Sequence, residues 1–303
     1  MADATLTLEG GRVADAAPAA RRSWRISPWL GLVPFIGFLF LFLLLPTWGV
    51  IKKAFTDAQG GFSTAAMSDA FTNERQAFYG SMKVSFVSAL LGVVFGTLIA
   101  YAAATATRPR WLRSLVAAFS GVAANMGGII LAFLFFTLLG RQGLGTKLIR
   151  DGLNYDLYKT SWFDISSFWG WVTVYLYFQI PLMVLVTLPA IDGLKPAWRE
   201  ASSNLGGTTW TYWRRVGIPV LTPSMLGGFL LLFANAFSAY ATVYALNTQA
   251  NVLPVKISFG LRNDVGGRTT APYALATWMI IVIALTMAGY LLLRKRAERW
   301  QAK

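Results

Sequence analysis

Phe38-Leu-Phe-Leu-Phe-Leu-Leu-Leu45 places eight apolar side chains in unbroken succession. A strand of a transmembrane barrel alternates apolar and polar residues with period two, and this run does not. It lies in a window, Ile26–Ile51, that contains no Asp, Glu, Lys or Arg. A helix needs about 20 apolar residues to cross roughly 30 Å of hydrocarbon, so the window is long enough to span a membrane. Helices and closed barrels are the only ways to satisfy every backbone hydrogen bond in lipid, and the chain therefore reads as all-α.

Five further charge-free windows follow, at Val84–Thr107, Leu115–Gly140, Ile165–Ile191, Val216–Val255 and Thr269–Leu293. Six windows predict six transmembrane helices. The fifth is too long for one helix. Pro219 and Pro223 mark its entry, and Asn247-Thr-Gln-Ala-Asn251 with Pro254 reads as loop, which places that helix at about residues 222–246. The composition agrees with a membrane protein: of 303 residues, 55% are apolar and 13% charged, about half the charged fraction of a soluble domain. The first window follows a polar tail, exceeds a secretory h-region in length and has no small-residue cleavage site after Thr47-Trp48-Gly49, so it is read as a retained span.

The net charge of +14 does not point to nucleic acid, because the basic residues sit between apolar runs instead of on a water-exposed domain. Lys and Arg number 16 in the two tails and the second-to-third and fourth-to-fifth loops, against 11 in the other loops, where seven acids dilute them. The positive-inside bias then puts both termini in the cytoplasm. Trp29, Trp48, Trp111, Trp162 and Trp278 near span ends read as interfacial anchors.

The chain has no Cys and no His, which removes thiolate chemistry, the commonest metal ligand and the neutral-pH base. No span contains an ionisable Asp, Glu, Lys or Arg. That argues against a proton-driven carrier and an intramembrane lipid enzyme, and leaves an uncoupled channel or a sodium-driven carrier as the self-sufficient alternatives. There is no Gly-x-x-x-x-Gly-Lys-Ser/Thr phosphate cradle, so any ATP would have to bind elsewhere.

The loop at about 192–221 carries the most specific signal. Trp198-Arg-Glu-Ala-Ser-Ser-Asn-Leu205 sets Trp198, Ala201 and Leu205 on one helical face. Gly206-Gly207 offers the positive φ that ends a helix, and Thr208 or Thr209 can cap a second one through Val216, which Pro219 is expected to stop. Trp210 and Trp213, with Arg214 and Arg215 beside them, suit either a protein interface or a lipid headgroup layer.

Glu200-Ala201-Ser202, three residues, Gly206, nine residues, then Val216-x-Ile218-Pro219 resembles the EAA loop of type I ABC importer permeases. The family pattern is EAA, three residues, Gly, nine residues, then I-x-L-P. Ser202 stands in place of the second Ala, and Val216 and Ile218 replace Ile and Leu. The likeness extends over roughly residues 29–295, through Met126-Gly-Gly-Ile-Ile-Leu-Ala-Phe133, Tyr177-Phe-Gln-Ile-Pro-Leu-Met183 and Ala234-Asn-Ala-Phe-Ser-Ala-Tyr-Ala-Thr242. These stretches look like the permeases of spermidine/putrescine systems, a subgroup whose relatives also handle thiamine, iron or phosphonates.

The resemblance implies a permease domain at 29–295 between two cytoplasmic tails, 1–28 and 296–303, in the cell membrane of a prokaryote; the first tail, rich in Ala, Gly and Arg with little to bury, reads as disordered. It implies a second permease subunit, a cytoplasmic ATPase dimer that carries the ATP, and an extracytoplasmic solute-binding protein. The chain itself binds no cofactor or metal and catalyses nothing. Glu200, Ala201, Ser202, Gly206, Trp210, Trp213, Arg214 and Pro219 become the ATPase-coupling residues, and the solute is a small polar molecule, polyamine-like. Asn125, Tyr175, Gln179, Asn235 and Tyr240 either line a path or, more commonly for such residues, bond between helices. Pro181 and Pro189 read as kinks. Gly127-Gly128 and the Gly92-x-x-x-Gly96 pair read as sites of close helix approach.

Overall fold

The computed structural model describes residues 28–57, 60–106, 111–159, 163–264 and 269–301. The expected disorder of the N-terminal tail, the side chain of Trp29, and Trp162 all fall outside the described residues. Fourteen α-helices make up the described chain, six stretches of which are long and apolar enough to cross a membrane.

Residues up to Thr47 form one unit and Trp48 onward a second. The first unit contains α1 (Pro28–Leu39), a π-helical turn at Phe40–Leu44 and the start of α2 (Leu45–Ala54). The turn has a local cause. Pro46 lacks the N–H that would bond back four residues and its ring would strike that carbonyl. Widening the turn lets Leu45 N–H bond to the Phe40 carbonyl five residues back and relieves the crowding.

In the second unit, a short α3 (Ala65–Asn73) leads into α4 (Arg75–Thr105), which with α8 (Phe168–Asp192) makes the most extensive helix–helix contact. The Gly92-x-x-x-Gly96 reading holds here. A Cβ on Gly96 would lie 2.5 Å from Met183 Cβ and 2.8 Å from the Ile180 carbonyl, and one on Gly92 would lie 2.8 Å from Leu232 Cδ2. Van der Waals packing of this kind drives helix association in lipid, where the hydrophobic effect between helices is absent.

The third window is not one helix. It divides into α5 (Trp111–Ala123) and α6 (Gly128–Leu139), and a turn then leads to α7 (Leu144–Leu153). The Gly127-Gly128 pair serves this break and not close approach: Gly128 has φ +74°, and a Cβ on Gly127 would meet nothing within 4 Å. The two halves pack on different ends of α8. Val116 and Ala117 of α5 join Val184, Leu188 and Ile191, whereas Leu131, Ala132 and Phe135 of α6 join Val174, Tyr175 and Phe178.

After α9 (Pro196–Asn204), the fifth window also departs from expectation. Helix α10 (Thr209–Tyr212), a π turn at Trp213–Gly217 and α11 (Ile218–Ser238) form one continuous helical stretch of 30 residues. Pro219 therefore does not stop the second loop helix. It repeats the geometry of Pro46, with Ile218 N–H bonded to the Trp213 carbonyl across the π turn, so the helix passes through. The break comes later, at Ala239-Tyr240, before α12 (Ala241–Leu246). This is where the expected helix at 222–246 is corrected.

The break and α12 are held by hydrogen bonds to other elements. Tyr175 Oη donates to the Ala239 carbonyl at 3.1 Å, and Ser166 Oγ to the Leu246 carbonyl at 3.0 Å. Gly128 N–H donates to Thr242 Oγ1 at 2.9 Å, which returns a bond to the Gly128 carbonyl at 3.3 Å. Helices α13 (Leu253–Arg262) and α14 (Ala271–Gln301) complete the unit, and α14 runs on through most of the segment read as a C-terminal tail.

Gln179 is buried and its amide donates to Ser88 Oγ at 3.3 Å and to the Leu232 carbonyl at 3.2 Å, joining α8 to α4 and α11. Gln179 and Tyr175 thus bond between helices. Trp278 is also tied within the protein, its indole donating to the Met67 carbonyl at 3.0 Å, whereas Trp48 and Trp111 remain exposed as anchors would. Replacing Gly96 by Leu should lower stability by about 1–3 kcal/mol, the usual cost of overpacking. Thermal unfolding in detergent checks this, with Gly121→Ala in α5, whose Cβ meets nothing within 4 Å, expected to hold or raise the midpoint.

Candidate functional site

Only Gly193, Leu194 and Lys195 separate α8 from α9, and Pro196 occupies the first turn of α9, where its missing N–H costs nothing. The far end of α9 closes as a Schellman motif. Gly207 N–H bonds to the Ser202 carbonyl at 2.8 Å and Gly206 N–H to the Ser203 carbonyl at 2.9 Å, with Gly206 at φ +76°. A Cβ on Gly207 would lie 2.7 Å from both the carbonyl and the Oγ of Ser202. That contact explains the tight spacing of the motif: the chain folds back directly over position 202, so a small residue belongs there and a glycine opposite it. Thr208 then caps the next helix, its side chain accepting from Thr211 N–H at 3.3 Å.

The result is a short helix, a fixed bend and a second helix continuous with the fifth span. At 1.5 Å per residue, the 30 residues from Thr209 to Ser238 form a rod of about 45 Å, longer than the roughly 30 Å hydrocarbon layer.

The side chains divide into two sets. Glu200, Arg214 and Trp210 are exposed, Trp210 at 69%, and the Glu200 carboxylate has no ion pair or hydrogen bond within the chain among the described residues. Leu205, at 88%, is more exposed still. Between α9 and the second helix lies a groove of about 430 Å³, lined by Trp198, Ala201, Leu205, Val216 and Val220 together with Arg215. An apolar groove beside an unpaired carboxylate and an exposed Trp is the composition of a protein-binding face.

Trp213 belongs to the other set. Its ring meets Tyr101 of α4 edge-on at 5.1 Å and lies against Gly217, where a Cβ would be 2.5 Å from the indole. Tyr212 is buried beside it, its ring meeting the Trp213 ring at 5.7 Å. The aromatic pair therefore anchors the second loop helix to the body of the protein. Trp210 and Trp213, three residues apart, thus have different surroundings: Trp210 is exposed, and Trp213 packs on Tyr101.

This geometry defines a polytopic helical membrane protein in which two helices are joined by a bend at Gly206, the second running on into the fifth apolar stretch. The family model for the inner membrane component of binding-protein-dependent transport systems matches residues 92–297, and the chain belongs to that family. Its relatives include the molybdenum transport system permease protein ModB of Escherichia coli, 26% identical over 227 residues, covering 72% of this chain and 91% of the relative. The spermidine/putrescine transport system permease protein PotC of Haemophilus influenzae is 23% identical over 270 residues, covering 86% and 95%. The sulfate transport system permease protein CysT of Salmonella typhimurium is 24% identical over 212 residues, covering 68% and 70%. The fold is shared with the crystal structure of a bacterial ABC transporter involved in the import of the acidic polysaccharide alginate. That match has a TM-score of 0.65 and 17% identity, and covers 89% of this chain and 94% of the solved one.

Substituting Gly206 by Ala places a side chain at positive φ and should cost about 1 kcal/mol locally. Hydrogen–deuterium exchange of the amides over 205–212 should then accelerate about 5-fold, the factor corresponding to that energy, while exchange in α8 stays unchanged.

Proposed function

We propose that this chain is the membrane-spanning permease subunit of an ATP-driven importer for a small polar solute, and that the 196–219 loop is where a cytoplasmic ATPase dimer docks. The observation that carries the reading is the loop itself: an unpaired, exposed Glu200 and an apolar groove on a bend locked by Gly206, fused without interruption to the fifth span. The resemblance to the EAA loop, the family membership and the permease names of the relatives support it. Both termini and the loop lie on the ATPase side, as the Lys/Arg distribution indicates.

The mechanism is alternating access. ATP bound at the partner dimer closes it and draws two docked loops together, one from this chain and one from a second permease subunit. Glu200 accepts a charge-assisted hydrogen bond from a basic group of the ATPase, which fixes orientation more than affinity. Trp210, Leu205 and Ala201 supply the apolar contact, Ser202 lines the groove with Leu205 and Ala201, and Arg214 flanks it. Because Trp213 and Tyr212 pin the second loop helix to α4, and Pro219 lets that helix run into α11, a displacement at the loop reaches the spans as a rigid-body motion. An extracytoplasmic binding protein delivers the solute on the opposite side.

The relatives carry three solute names, molybdenum, sulfate and spermidine/putrescine, at 23–26% identity. The scaffold therefore serves solutes of opposite charge, and a polyamine, favoured by the sequence resemblance, is the first solute to test. Glu200→Lys should abolish ATP-dependent uptake in reconstituted vesicles while membrane insertion and thermal stability match the parent chain. Full activity in that variant would remove the docking role. Uptake by the parent that persists after ATP depletion would instead support the uncoupled channel or the sodium-driven carrier.

A further inference from the structure

Arg113 and Asp192 form an ion pair across 79 residues of sequence. Their positions are unusual for charges on helices. Arg113 lies in the first turn of α5, where the helix dipole repels a cation, and Asp192 is the last residue of α8, where the dipole repels an anion. Each residue therefore disfavours its own helix, and the two placements make physical sense together, as a contact between the start of one helix and the end of the other. Both side chains are partly exposed, at 46% and 38%, so the pair adds little to global stability. Its effect is positional.

The position matters because of what lies on either side. Asp192 is separated from the loop helix α9 by three residues. Helix α5, beyond Arg113, packs through Val116 and Ala117 on the same end of α8 and terminates at the break of residues 124–127. Past the break, α6 is attached elsewhere, through the Thr242–Gly128 bonds and the cluster around Tyr175. The third charge-free window thus consists of α5, tied to the loop end of α8, and α6, tied to the opposite end.

Resting on the importer reading above, we propose that the Arg113–Asp192 pair is a transmission latch: it makes α5 follow the coupling loop, so that α5 swings about residues 124–127 while α6 stays with α12. Arg113 and Asp192 are positioning residues that touch neither solute nor ATP.

The chain contains no Cys, so two introduced thiols are its only labelling sites. Spin labels on Ala118→Cys of α5 and Phe133→Cys of α6, both exposed positions, report the angle at the break in the fully assembled transporter in lipid. With ATP plus vanadate added, the parent should show a shifted interlabel distance. Asp192→Asn should lose the shift while the ATPase still copurifies and the thermal midpoint holds. The charge swap Arg113→Asp with Asp192→Arg should restore it. An unchanged shift in Asp192→Asn, or no ATP-driven shift in a parent that transports, overturns the latch. A parent that retains no ATPase overturns the importer reading instead, so the two failures are distinguishable.

Discussion

In hydrocarbon no backbone N–H or C=O can be left without a partner, and the architecture of this chain follows from how it meets that requirement wherever its sequence interrupts a helix. Two prolines, Pro46 and Pro219, are each accommodated by a π turn placed at the same offset before the ring. Two breaks, at 124–127 and 239–240, are instead closed by groups from neighbouring spans: Thr242 serves Gly128, and Tyr175 serves Ala239. The prolines therefore keep their helices continuous, and the breaks divide theirs.

That distinction organises the molecule into ends. At the loop end, α5, the last turns of α8 and the start of α11 share one apolar cluster. At the other end, α6, α12 and the first half of α8 share a second. Helices α4 and α8, pressed together at Gly92 and Gly96, run through both. In the proposed mechanism, a push delivered at the 196–219 loop has an uninterrupted route along α8 and the 209–238 rod, and two places, the breaks, where neighbouring elements can respond differently.

Much of this was legible in the sequence, for physical reasons that can be named. The charge-free windows around α4, α8 and α14 correspond to single helices because hydrophobic length alone sets them. The loop was legible because its signals are local: Gly206-Gly207 closes α9, and Thr208 opens the next helix. The split third window was not, because Gly128 at positive φ is held by Thr242, 114 residues away. Pro219 was misread as a stop because a proline's effect depends on whether the preceding turn can widen. The Arg113–Asp192 pair and the inward turn of Trp213 against Tyr101 depend on tertiary packing that no spacing rule contains.

The central claim is that the exposed loop of this permease holds an ATPase. It is tested most directly by purifying the tagged full-length chain from native membranes in mild detergent and identifying by mass spectrometry what comes with it. The account predicts an ABC ATPase together with a second permease subunit and a solute-binding protein. Recovery of the chain alone, under conditions that keep other membrane complexes intact, would contradict it.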